Sequence, residues 1–195
     1  MSNLPDKLRL KEQAEEDQYF ARRDRELVAA LHARRGCPVA RVVSGGQTGV
    51  DRAALDAALA AGVPVGGWCP RGRLAEDGVL PARYPLCETP DADPAQRTEW
   101  NVRDSDGTLI LHRGPITGGT ALTAELARRY GRPLLAVDLD TGPTVAAIRA
   151  WLDGQGIRVL NIAGPRESQA PRIAAAALDL LRQLLGERPE RVDPA

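Results

Sequence analysis

The chain has 195 residues, with 26 Lys and Arg against 26 Asp and Glu and no formal net charge. Without a global field it has nothing to gather nucleic acid or an anionic membrane, so any anion binding has to be local. At 43% hydrophobic and 27% charged residues, with no apolar run long enough to span a bilayer and no leader-like start, the expectation is a cytoplasmic globular protein.

In chain order, residues 1–36 read as a charged N-terminal helix. Phe20, Leu27 and Leu31 fall at helical spacing, but the apolar stripe is thin. Such a helix packs on the main domain or on a second subunit, and a homo-oligomer is expected. Gly36 and Pro38 end it. Residues 37–186 read as one ligand-binding domain, and 187–195 as a loose tail. Within the domain, residues 39–43 form a short apolar strand, and 50–61 an alanine-rich helix stopped by Gly62. Residues 63–65 read as a second strand and 66–85 as a long loop rich in Gly, Pro, Arg and Asp. Helices are expected at 94–104, 120–130 and 145–152, with strands at 108–111, 133–139 and 157–162. The last helix carries Ile173, Ala177, Leu181 and Leu185 on one face. Short apolar strands alternating with helices imply parallel strands joined by right-handed crossovers. The fold class is therefore α/β, a Rossmann-like doubly wound and mainly parallel sheet with an N-terminal helical extension. Ligands in such sheets sit beyond the carboxyl ends of the strands.

Several chemistries lack their residues. The only lysines are Lys7 and Lys11, so a phosphate-binding loop that needs a lysine is excluded from the body of the chain. The only histidines are His32 and His112, and no nucleophile elbow is present. Cys37, Cys69 and Cys87 are odd in number and lack zinc-site spacing, so neither a disulfide framework nor a metal site is expected.

Glycine-rich strand-to-helix turns carry the functional reading. The first runs Ser44, Gly45, Gly46, Gln47, Thr48, Gly49. Glycines let the backbone approach a ligand, and the following helix start leaves N–H groups unpaired, which favours an anion. Arg52 adds charge, whereas Asp51 opposes a phosphate and is read as a partner for a hydroxyl, a metal ion or Arg52. The second turn ends in Gly118, Gly119 and Thr120, with Glu125 further along its helix. A third, Gly164-Pro165-Arg166, reads more simply as a plain turn. In the long loop, Trp68 beside Arg71 and Arg73 can stack on a flat ring and neutralise phosphate. Arg97, Asn101 and Asp104 share one helix face and are read as a polar wall.

Taken together, Ser44 to Arg52, Gly67-Trp68-Cys69-Pro70-Arg71-Gly72-Arg73, Ala75-Glu76-Asp77-Gly78, Arg97 to Asp106 and Gly118-Gly119-Thr120 resemble the molybdenum cofactor carrier protein family. The resemblance spans roughly residues 39–185. That family is similar to a wider Rossmann-like superfamily that includes the Lonely Guy phosphoribohydrolases. Those enzymes use an arginine and a glutamate near a G-G-x-G-T-x-x-E loop. Gly118, Gly119 and Glu125 keep its outline, but Ala121 and Leu122 stand where Gly and Thr would be.

Two readings follow. In the first, the chain binds or carries a phosphorylated, ring-containing small molecule, with molybdenum cofactor the cargo implied by the resemblance or a nucleotide in its place. In the second, it is a nucleotide N-glycosidase in which Glu125 or Asp51 stabilises an oxocarbenium-like centre or activates water.

Overall fold

In the computed structural model, residues 37–142 and 144–186 are described. The chain divides into two units, Met1–Gly36 and Cys37–Ala195, and the described residues all fall in the second. The leading helix and the tail expected above lie outside them.

Continuous apolar runs became the central strands. Strand β7 (Gly107–His112) reads Gly-Thr-Leu-Ile-Leu-His and is buried at its first five positions. A strand covered on both faces needs apolar groups pointing both ways. Around it lie β1 (Arg41–Val43), β2 (Val65–Gly66), β8 (Leu134–Asp138) and β9 (Val159–Ala163). They make one sheet in the order β2-β1-β9-β7-β8. Every pairing in it is parallel, with Val42 opposite Val65 and Leu160, and Leu109 opposite Leu135 and Ile162.

The chain leaves β1 toward one edge of the sheet and leaves β7 toward the other. Right-handed crossovers in opposite directions put their helices on opposite faces. Helices α1 (Val50–Ala60), α4 (Val145–Gly154) and α5 (Ile173–Leu185) share the larger core. There Ala54, Ala57, Ile148, Leu152, Ala177 and Leu181 meet Leu109, Leu111, Leu160 and Ile162 of the strands. Helices α2 (Pro94–Arg103) and α3 (Gly118–Arg129) close around Val102, Leu126 and Ala127. Arg149 of α4 donates to the carbonyls of Gln183 and Leu184 at 3.1 and 2.9 Å. Its charge also reaches the buried Cys37 thiol, whose pKa burial pushes up. Arg149 thus ties α4 to the last turn of α5.

The segment expected as a loop carries short strands. β3 (Trp68–Cys69) pairs in parallel with β6 (Cys87–Glu88), and β4 (Leu74–Ala75) forms a hairpin with β5 (Gly78–Val79). The Arg73 guanidinium donates to the carbonyls of Leu86 and Tyr84, both at 2.9 Å, and to those of Leu80 and Pro81. Leu80, Tyr84 and Leu86 then pack with Leu55 and Cys69 in a small core of their own.

Candidate functional site

Strands β1, β9 and β7 are neighbours at the middle of the sheet, so the turns after them share its carboxyl edge. They converge with the start of α2 on a cavity of about 280 Å³. The first turn contributes Gln47 and Asp51, the second Gly119, Thr120 and Thr123, and the third Ala163, Gly164, Arg166 and Gln169. Helix α2 adds Asp93, Pro94, Ala95, Arg97 and Thr98.

Two helix starts face this space, and they differ. At α2 the Asp93 carboxylate accepts from the Ala95 amide at 2.9 Å, so the helix supplies its own anion. At α3 the N-cap residue Thr117 makes no side-chain cap, and the Gly118, Gly119 and Thr120 amides are too early in the helix for an intrahelical acceptor. A Cβ added at Gly119 would meet no atom within 4 Å. That glycine is needed by neither the protein's packing nor a positive φ, and it leaves the helix start open. Across the cavity, the Arg166 guanidinium has no hydrogen bond or ion pair among the described residues, while its amide donates to Gln169 Oε1 at 3.4 Å. An oxyanion at α3 would meet helix amides and the Arg166 guanidinium, whose charge also acts on Asp51 and Glu76, and both favour negative charge.

The first turn is occupied from within. Gln47 Oε1 accepts from the Thr48 and Glu76 amides at 3.0 and 2.8 Å, and the Gln47 amide reaches Asp51 Oδ2 at 3.4 Å. A Cβ on Gly49, at φ 77°, would stand 2.3 Å from the Pro165 carbonyl oxygen, so this glycine admits the third turn. The Thr48 hydroxyl donates to Glu76, which also accepts from Ser168 Oγ at 2.6 Å. Those hydrogen bonds, Ser168 first and then Thr48, hold the Glu76 carboxyl below its ordinary pKa. Ser44 is buried and donates to the Ile162 carbonyl at 2.8 Å, tying β1 to β9.

Asp51 and Arg97 form an ion pair at 3.2 Å, with side chains 4% and 14% exposed. Burial pushes the Asp51 carboxyl up, and Arg97 and the Gln47 amide pull it back. Arg97 lies over Gly45, where a Cβ would stand 2.0 Å from its Nη1. Asn101 and Asp104 do share the Arg97 face of α2, but they serve β3. Asn101 accepts from the Trp68 amide at 2.7 Å and donates to its carbonyl at 3.0 Å, while Asp104 accepts from the Trp68 indole at 2.8 Å. Trp68 stacks edge-on against Trp100, with centroids 4.7 Å apart. Trp68, Arg71 and Arg73 are thus outside the cavity lining. So is Arg52, which pairs with Asp77 at 2.5 Å and reaches the Gly46 carbonyl. Glu125 stands on the exposed side of α3, also outside the lining.

Residues 42–185 match the sequence model of the circularly permutated YpsA SLOG family. The chain belongs to that family. A crystal structure from Syntrophus aciditrophicus, described as a "putative molybdenum carrier protein", is 49% identical, with a TM-score of 0.73 over 75% of this chain and 95% of that one. No curated protein matches. The family and the Syntrophus structure place the chain with the proteins its motifs resemble. The permutation named in the YpsA SLOG description is visible in the sheet. Counted from β7 and continued past β9 to β1 and β2, the spatial order becomes 2-1-3-4-5, the common doubly wound arrangement.

Arg166, Gln169, Thr123 and Asp93 line the cavity without having been singled out as site residues. Arg166 sat in a turn that read as plain. Its signal was position, in the turn after a strand that pairs with both β1 and β7. That pairing is a property of the sheet, and no local pattern encodes it.

Proposed function

We propose that this chain binds a phosphate-bearing small molecule in the cavity between the second and third turns and serves as its carrier. The phosphoryl group lies against the Gly118, Gly119 and Thr120 amides, with Arg166 as counter-charge. The single observation that supports this most is the pairing of an uncapped, open helix start with an arginine whose guanidinium makes no hydrogen bond among the described residues. Molybdenum cofactor, a ring system with a terminal phosphate, is the favoured cargo, because a 49% identical structure is described as a molybdenum carrier. The volume, about 280 Å³, is just below that of small-molecule sites, about 300–1,000 Å³, so the cavity grips the phosphate end while the ring extends outward. Among the described residues no helix is long and apolar enough to cross a membrane. A cytoplasmic homo-oligomer exchanging a small molecule, without nucleic acid, completes the reading.

Titration calorimetry with molybdenum cofactor and with AMP tests it. Arg166→Ala should weaken binding by about tenfold or more, the worth of one charge-assisted hydrogen bond. Gly119→Leu should fill the cavity and abolish binding while leaving Tm within a few degrees. Unchanged affinity in both variants would reject the site. Release of free base from AMP in the same samples would move the assignment to the hydrolase reading, with Asp51, one of two carboxylates in the lining, in that role.

A further inference from the structure

A second cavity, of about 330 Å³, lies at the start of α5 and is lined by Arg113, Arg172, Ala175, Ala176 and Asp179. It lies outside the site above and owes nothing to that reading. Arg113 comes from the turn after β7, and Arg172 is the N-cap residue of α5. Because α5 follows β9, both arginines stand at the carboxyl edge of the sheet. The α5 start is already capped by the protein: Glu167 accepts from the Arg172 amide and, at 3.0 Å, from the Ala174 amide. The arginine side chains are therefore what this cavity offers an anion. The Arg172 guanidinium has no hydrogen bond or ion pair among the described residues. Arg113 Nε stands 3.0 Å from Asp140 Oδ1, yet it is buried and aligned with no acceptor.

Arg172 is held at φ 66°, ψ 14°, a left-handed conformation that favours glycine and is costly for a long side chain. Arg172, Ala175, Ala176 and Asp179 fall on one face of α5. Asp179 lies seven residues beyond Arg172, about 10 Å along the axis. The cavity is thus polarised. The two arginines stand at one end, where Asp140 pairs with Arg113, the Asp179 carboxylate stands at the other, and two alanines lie between them.

We propose that this second cavity binds a nucleoside monophosphate. The phosphate takes the place of the Asp140 carboxylate on Arg113 and is shared with Arg172, the base rests on Ala175 and Ala176, and its amino or imino edge donates to Asp179. A lone anion would be repelled by Asp179, whereas a molecule with a phosphate at one end and hydrogen-bond donors at the other matches both ends. The volume is within the range of small-molecule sites.

The test is calorimetric titration of the full chain with AMP, GMP and inorganic phosphate. Arg172→Gly should weaken nucleotide binding at this site at least tenfold and, by relieving the left-handed arginine, raise Tm by about 2–4 °C. A merely structural arginine would not combine a gain in stability with a loss of binding. Asp179→Ala should weaken AMP or GMP tenfold and leave inorganic phosphate unchanged or slightly tighter. Arg166→Ala leaves this site intact, so two nucleotide equivalents in the wild type should fall to one in either arginine variant. If the first site fails alone, the wild type binds one equivalent that Arg172→Gly removes and Arg166→Ala retains. Wild-type nucleotide binding in both Arg172→Gly and Asp179→Ala would overturn the proposal.

Discussion

At the scale of single residues, the Asp51–Arg97 pair sets the electrostatics of the first cavity. Asp51 is nearly inaccessible and its partner is mostly buried, so each charge depends on the other for its solvation. Breaking a buried pair costs about 3–5 kcal/mol, because one charge is left uncompensated. Asp51→Ala should therefore lower unfolding free energy by about that amount in urea denaturation. Asp51→Asn keeps the shape, removes the carboxylate and frees the Arg97 charge. It should bind AMP more tightly than wild type even as it loses stability. Tighter binding with lower stability distinguishes a charge effect from a packing effect, and the ligand-induced rise in Tm measures it. The glycines follow the same logic of neighbours. Gly49 admits the Pro165 carbonyl, whereas Gly119 faces open space, so two glycine-rich turns that look alike differ in what they leave available.

At the scale of elements, the two helix starts at the cavity make opposite predictions. Asp93→Ala removes the cap of α2 and should cost about 1 kcal/mol, read as a drop in Tm. It also exposes the Ala95 amide to the cavity, so added phosphate should recover part of the loss in the variant and less in wild type. The helices and long strands were legible in the chain because each carried ten or more periodic positions or a continuous apolar run. Helix α1 runs from Val50 to Ala60 against an expected 50–61, and α5 from Ile173 to Leu185 as its apolar face required. The pairs β3–β6 and β4–β5 were not legible, since two-residue strands contain no period and are held by Arg73 and distant carbonyls. The candidate site was legible as a place, the carboxyl edge where glycine turns gather. Its individual groups were less so. Gln47 could either face a ligand or bridge to the Glu76 amide, and the choice depends on a hairpin 29 residues away in the chain.

At the scale of the molecule, the sheet's centre joins the two ends of the domain. Ser44 Oγ meets the Ile162 carbonyl across 118 residues, and Arg41 pairs with Val159. Non-local pairing of this kind slows folding. Replacing Ser44 by Ala should cost about 1 kcal/mol, and it should slow refolding less than it speeds unfolding if the β1–β9 seam closes late. Stopped-flow chevrons decide this, and a change confined to the folding limb would show that the seam closes early.

The pairing of β1 with β9 has a consequence for synthesis in the cell. The first described strand, β1, has its inner neighbour, β9, made last of the described strands, so a ribosome delivers β1, β2, β7 and β8 before the piece that joins them exists. Until residue 163 leaves the exit tunnel, β1 and β7 have no β9 to pair with, and their inner edges stay open.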